Sequence, residues 1–301
     1  MGSQPLISIC IPSYNGAPFI AETIESVLHQ SFEDFELIIA DDHSSDETVS
    51  IIERFRDPRL RLVRNPVNLG MGGNWSRVLS IGLGKYVKLL CEDDLLHSRC
   101  LERQVAVLED PMQIDVALAI CNREVINSRG DVVLGPRRRL KPGKICGRQL
   151  VKKCLRAGSN IIGEPVVGLF RRELVKRQNM CDPTNPYLSD LSLWAGLLKQ
   201  GDAFFDHEVL ASFRISSGAA TASIGWRQAS SFRRFARQLR NDPVYQITWL
   251  DLFWASLLSA QWCLLRNAFI RLQSGPRSGK PPQAPGSPKA IPGQQSHANC
   301  A

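Results

Sequence analysis

In the first third of the chain, short apolar runs alternate with stretches whose apolar residues recur every three or four positions. Residues 6–11 form a β-branched run ended by Pro12, which predicts a buried strand. Pro18 suits the first turn of a helix, and Phe19, Ile20, Ile24, Val27 and Leu28 then share one face. A second strand over 35–40 ends in Asp41-Asp42. Ser44 and Glu47 have capping-box spacing for a helix over 47–55. A third strand (60–63), a Gly/Asn loop (65–74) and a helix near 74–82 follow. A fourth strand over 86–91 runs straight into Glu92-Asp93-Asp94. Further on, the pattern predicts strands over 116–121 and 209–215. A helix over 187–198 carries Leu191, Trp194, Leu197 and Leu198 on one face.

Strands alternating with helices predict βαβ units and an α/β fold with a mostly parallel sheet flanked by helices. Ligands of such sheets bind beyond the carboxyl ends of the strands. Three polar clusters fall at such ends: Pro12-Ser13-Tyr14-Asn15, Asp41-Asp42 and Glu92-Asp93-Asp94. The pattern therefore predicts that they share one crevice.

Charge changes the picture only once it is located. The 301-residue chain has a formal net charge of +8. Residues 1–224 balance to neutrality, so the whole excess lies in 225–301, where Asp242 and Asp251 are the only acids. A neutral body argues against a nucleic-acid enzyme, since no basic field is available to hold phosphates. The basic end fits a membrane surface or another anionic partner. The nine cysteines are odd in number and include no CxxC pair. Together with a first segment that lacks the signal-peptide pattern, they predict reduced thiols and a cytoplasmic protein, with peripheral membrane contact through 226–272 as an option.

Each cluster has a chemical reading beside a plainer one. The adjacent carboxylates of Glu92-Asp93-Asp94 supply the oxygen ligands that Mg²⁺ or Mn²⁺ prefers, and their mutual repulsion costs free energy unless a cation offsets it. They could equally form a solvated helix cap. Asp41-Asp42 could accept hydrogen bonds from a base or a ribose, or cap the helix over 47–55. Tyr14 could stack on a base, or simply occupy a turn. The segment Asn68-Leu-Gly-Met-Gly-Gly-Asn74 departs from the dinucleotide-binding pattern, because Trp75 stands where its last glycine would be.

Taken in order and at this spacing, these pieces resemble the family 2 glycosyltransferases of the GT-A fold over about residues 6–110. The resemblance implies an inverting, nucleotide-sugar-dependent enzyme. It implies that Pro12, Tyr14 and Asp42 line the nucleoside pocket. Asp93 and Asp94 would form the DXD-type site for Mn²⁺ or Mg²⁺, with Asp94 the more direct ligand and Glu92 standing aside. Asn74 would touch the donor. Downstream, Tyr187-Leu-Ser-Asp190 followed by Leu193-Trp194 resembles the acidic motif that opens the acceptor-side helix, which would make Asp190 the general base. Phe213-Arg214-Ile215-Ser216 resembles a Tyr-Arg-x-His segment with Ser216 in place of the His, so one metal or diphosphate ligand is missing.

The resulting expectation is a catalytic domain over 1–224, divided into a donor half (about 1–110) and an acceptor half (about 111–224). A basic, Trp-rich helical extension would cover 225–273, and a disordered Pro/Gly/Ser tail 274–301. The apolar stretch 244–270 could pack on the domain, lie on a membrane or span one. The donor would be a UDP-, GDP- or dTDP-sugar, and the acceptor a saccharide or lipid-linked saccharide in cell-surface polysaccharide or glycolipid synthesis. The rival reading is a catalytically impaired nucleotide-sugar-binding protein or a membrane-recruited interaction protein.

Overall fold

The computed structural model describes residues 4–136, 140–175, 188–215 and 227–273. The chain opens with β1 (Ile7–Ser13), α1 (Ile20–Leu28), β2 (Phe35–Asp41), α2 (Thr48–Ile52), β3 (Leu60–Arg64), α3 (Gly70–Ser80) and β4 (Tyr86–Leu89). It continues with β5 (Leu95–Leu96), α4 (Cys100–Glu109), β6 (Val116–Ile126), β7 (Val132–Leu134), β8 (Gly143–Ile145) and α5 (Gly147–Ala157). Then come β9 (Gly168–Arg171), α6 (Arg172–Val175), α7 (Ser189–Leu198), β10 (Asp202–Arg214), α8 (Arg227–Arg240) and α9 (Trp249–Gln273).

Eight strands form one path, β3-β2-β1-β4-β9-β6-β10-β5, with β7 paired to β6 and β8 to β10. β1, β2, β3 and β4 run parallel. β9 inserts antiparallel between β4 and β6, and β6 and β10 run parallel. Every residue of β1 is buried, as expected of a strand covered on both faces. The register pairs Ser13 with Asp41 and Asp41 with Arg64, so the carboxyl ends of β1, β2 and β3 finish level. Because β9 reverses direction once, the carboxyl ends of β6 and β10 face the same edge as that of β4.

Several elements differ from the pattern. The helix expected near 74–82 begins at Gly70, so the glycines counted as loop make its first turn. Its exposed N–H groups find acceptors from outside: Leu69 N donates to Asp42 Oδ1 (2.8 Å) and Gly70 N to Asn68 Oδ1 (2.9 Å). The helix expected over 47–55 is a five-residue turn, α2, and the capping box does not form; Asp46 Oδ1 accepts from Thr48 N instead (3.0 Å). Strand β10 begins at Asp202, well before 209, and absorbs two bulges between Asp206 and Ala211 in its pairing with β6. Helix α7 begins at Ser189, whereas Tyr187, Ser216, Trp226 and the tail 274–301 lie outside the described residues.

The C-terminal helices close the fold beyond β10. α9 packs against both α5 and α8. Gly158 ends α5 in the left-handed region (φ +61), and the Leu258–Ser259 backbone lies against its Cα. Among the described residues no helix is long and apolar enough to cross a membrane.

Candidate active site

The three strand-end clusters do come together. Asp42 N donates to Ser13 O (2.8 Å), tying the end of β2 to that of β1. Asp42 is buried, and its Oδ1 accepts from Asn65 Nδ2 (2.7 Å) as well as Leu69 N. Asp41 is fully buried; its Oδ2 accepts from Ser44 N (3.2 Å), and its Oδ1 has no partner. Asp42 thus caps α3, a helix distant in sequence, rather than the helix that follows it. Asn74 donates to Ala40 O (2.8 Å) and Ser13 O (3.4 Å), and its Oδ1 accepts from Asn65 (3.0 Å). Its amide is occupied in binding α3 to β1 and β2, beneath the cleft surface, because the strand ends leave backbone carbonyls there that must be satisfied. Pro12 is buried within β1, and Tyr14, just beyond it, is half-exposed.

Glu92 turns toward the β1 end. Its Oε2 accepts from Ser13 Oγ and from Tyr14 N (2.8 Å), and its carbonyl accepts from Thr23 Oγ1 (2.8 Å). Burial, more than any charge, pushes its carboxyl up to about 7. Gly16 lies so close to this carboxylate that a Cβ there would collide with it.

Asp93 and Asp94 remain. Asp94 is fully buried; its Oδ1 accepts from Arg214 N (3.0 Å), and its Oδ2 has no partner. Burial raises its pKa well above the carboxylate range, and Asp93 raises it further. Asp93 is raised too, first by burial, with Arg214 acting against the shift. Among the described residues no three His, Cys, Asp or Glu side chains converge as a metal cage. The acid loop instead offers two adjacent carboxylates and one buried, unpartnered oxygen. That donor set fits a hard divalent cation whose other ligands come from phosphate oxygens and water.

Asp190 sits in the first turn of α7. Its Oδ2 accepts from Asn160 Nδ2 (2.8 Å) and its Oδ1 from Leu191 N (2.7 Å). Burial pushes its carboxyl up to about 6 against these two bonds, and Glu164 adds to the rise. Desolvation pushes the Cys91 thiol up, and the carboxylates of Asp94, Asp93, Glu92 and Asp190 add to the rise. Asp190 opens α7, the helix that leads back to the start of β10, so it lies at the carboxyl edge of the sheet, the edge that also carries the acid loop after β4.

Three supporting residues have no place in the pattern reading. Arg123, on β6, is buried and grips Glu164 with two bonds (2.6 and 2.7 Å), leaving its Nη1 buried and unpartnered. Asn160 orders the 160–163 loop through Ile162 N, Gly163 N and Gly163 O, and Trp194 Nε1 donates to the same Gly163 carbonyl. No periodicity marks these residues, and Arg123 stands between Asn122 and Glu124, beyond the apolar run of 116–121. A cleft of about 340 Å³ lies elsewhere, between α4 and the start of β10, and holds none of the expected site residues.

A mostly parallel sheet, covered by helices and gathering acidic strand ends at one edge, defines the nucleotide-binding class of α/β proteins. The chain belongs to glycosyl transferase family 2, whose pattern matches residues 8–158. It is 32% identical over 200 residues to the UDP-Glc:alpha-D-GlcNAc-diphosphoundecaprenol beta-1,3-glucosyltransferase WfgD of Escherichia coli, covering 65% of this chain and 71% of that one. The first curated relatives it matches are spanned over about 66% of their length. Among solved structures it resembles S. aureus TarS in complex with UDP-GlcNAc (TM-score 0.62, 19% identity, 78% of this chain, 66% of that one). It also resembles the Pyrobaculum calidifontis mannosyltransferase in complex with GDP-Man and Mn²⁺ (TM-score 0.60, 20% identity, 93% and 77%). These likenesses establish the GT-A-type fold.

Proposed function

We propose that the chain transfers a sugar from a nucleoside-diphosphate donor to an acceptor hydroxyl, with inversion at the anomeric carbon. The observation that carries the reading is the buried pair Asp93–Asp94, with its unpartnered Asp94 Oδ2, at the sheet edge where Asp190 opens α7. Asp94, with Asp93, would hold Mn²⁺ or Mg²⁺, which when bound neutralises charge on the departing nucleoside diphosphate. Pro12, Tyr14 and Asp42 line the nucleoside side, where the half-exposed Tyr14 ring offers a stacking face. Asn74 is assigned to holding this wall in place. Glu92 holds the Ser13–Tyr14 turn at its angle to the acid loop.

Asp190 takes the proton from the acceptor hydroxyl. Its pKa near 6 keeps it ionised at neutral pH, yet leaves it a better base than a solvated carboxylate. Asn160 aims it, and the Arg123–Glu164 pair fixes the loop from which Asn160 projects. The donor is a UDP-, GDP- or dTDP-sugar; the UDP-Glc named for WfgD and the UDP-GlcNAc bound to TarS favour uridine. The diphosphoundecaprenol acceptor in WfgD's name favours a lipid-linked saccharide acceptor and polysaccharide assembly at the cytoplasmic face.

Titration calorimetry with a panel of these donors, with and without Mn²⁺, tests the reading. One donor should bind with metal-dependent affinity, and Asp94→Ala should remove that dependence. Equal donor affinity in the variant and the parent, with or without Mn²⁺, overturns the assignment.

A further inference from the structure

Helix α9 is built inside out. The positions it turns inward follow one another four apart: Asp251, Ala255, Ser259 and Cys263, all buried and all small or polar. The positions on the opposite arc are large and exposed: Trp249, Leu250, Phe253, Trp254, Leu257 and Leu264, with Trp249 and Leu250 at least 70% exposed. Among the described residues of this arc, Gln261 is the one polar exposed side chain. An ordinary surface helix places its apolar stripe against the core. Here the small face is required for packing, since Ser259 and Leu258 lie against Gly158 at the end of α5. The large apolar residues are consequently left facing outward.

Charge shows what this face meets. The inward Asp251 accepts from Thr248 and pairs with Arg156 (2.6 Å), so the exposed arc carries no acid. Asp242, the other acid of the region, pairs with Lys199 (2.6 Å). The adjoining α8 has no acid at all and exposes Arg233, Arg234 and Arg237. Arg240 joins the two features, its guanidinium 3.7 Å from the centroid of the Trp249 ring. Tryptophan, leucine and phenylalanine on one face, bordered by arginines, match the layering of a bilayer surface: acyl chains below and anionic headgroups above.

We infer that the exposed face of α9, with the arginines of α8, docks the protein onto an anionic bilayer surface, with α9 lying in the plane of the interface. This inference does not depend on the donor-site reading. Docking would hold the acceptor side of the molecule where lipid-linked substrates reside.

The test is co-sedimentation of the full chain with vesicles of phosphatidylcholine alone or mixed with phosphatidylglycerol, alongside light scattering without lipid. The chain should sediment with the anionic vesicles and far less with the neutral ones. An arginine at such a surface is worth about fivefold in affinity, so Arg233→Gln, Arg234→Gln and Arg237→Gln together should weaken binding about a hundredfold. Leu250→Ser, Phe253→Ser and Leu257→Ser together should abolish it while leaving the melting temperature unchanged. A chain that stays in the supernatant with both vesicle types overturns the inference. So does equal binding to both. A dimer that the serine substitutions make monomeric would assign the face to a second copy instead, and a lower melting temperature would show that it is covered within the fold.

Discussion

Asp190 is the residue whose chemistry is most exposed to experiment. Its carboxyl stands at about 6, above the ordinary carboxylate value of 3.8, chiefly because it is buried. As a base it must be ionised, so transfer should rise with pH through an apparent midpoint near 6; a rate flat across that range counts against it. Stability should move the opposite way. A raised carboxyl binds its proton more tightly in the folded state, so its contribution is complete below about pH 4 and is lost as pH rises through about 6. Asp190→Asn should therefore raise the unfolding free energy above about pH 6, by up to about 3 kcal/mol, and give little gain near pH 4, as denaturant unfolding at the two pH values would show. The same variant should retain donor binding and lose transfer, and undiminished turnover would refute the base assignment. The residue type and its place before an apolar helix face were visible in the chain. The Asn160 contact and the burial that set its pKa were not, because both come from a loop thirty residues upstream in sequence.

At the scale of elements, long-range capping decides where helices begin. The run from Gly70 to Gly73 has poor intrinsic helix propensity, yet it forms the first turn of α3 because Asp42 supplies an acceptor from β2. The Ser44–Glu47 spacing promised a capping box, and the site used Asp46 instead, since the Ser44 hydroxyl accepts from Asn15 N (2.9 Å). The junction of α5 and α9 makes a sharper test. Gly158→Ala would force a side chain onto a φ of +61 and into the Leu258–Ser259 backbone. We expect a loss of more than about 1 kcal/mol in thermal unfolding, with faster amide exchange along α9. An unchanged melt would show that the α5–α9 packing is looser than the geometry implies.

Across the whole molecule, Arg214 connects the two halves of the sheet. Though nearly fully buried, it donates to Asp93 O (2.8 Å), Asn127 O (3.2 Å) and Glu22 Oε2 (2.6 Å), and it lies over the Phe19 ring. Its own N–H holds Asp94. One side chain at the end of β10 thereby positions the acid loop after β4 against α1. Arg214→Met removes all three guanidinium bonds and leaves Glu22 and two carbonyls without their donor. Denaturant unfolding should register a loss of about 2–4 kcal/mol, mostly from the two carbonyls left without a donor, and metal-dependent donor affinity should fall below the unfolding transition as well. Arg214→Lys should recover only part of either, because an ammonium cannot span three acceptors in a plane.

The sequence by itself determined the parallel half of the sheet and the strand-end position of Asp42 and Glu92-Asp93-Asp94. Those follow from local periodicity, which records how often a position is apolar and where a run stops. Only the tertiary structure decided that Arg214 and Asp190 reach the same edge, that Asn74 lies beneath the cleft, and that α9 turns its large apolar residues outward. Periodicity carries the spacing of a face but not what covers it, and a hydrogen bond between residues a hundred positions apart leaves no mark on the pattern of either.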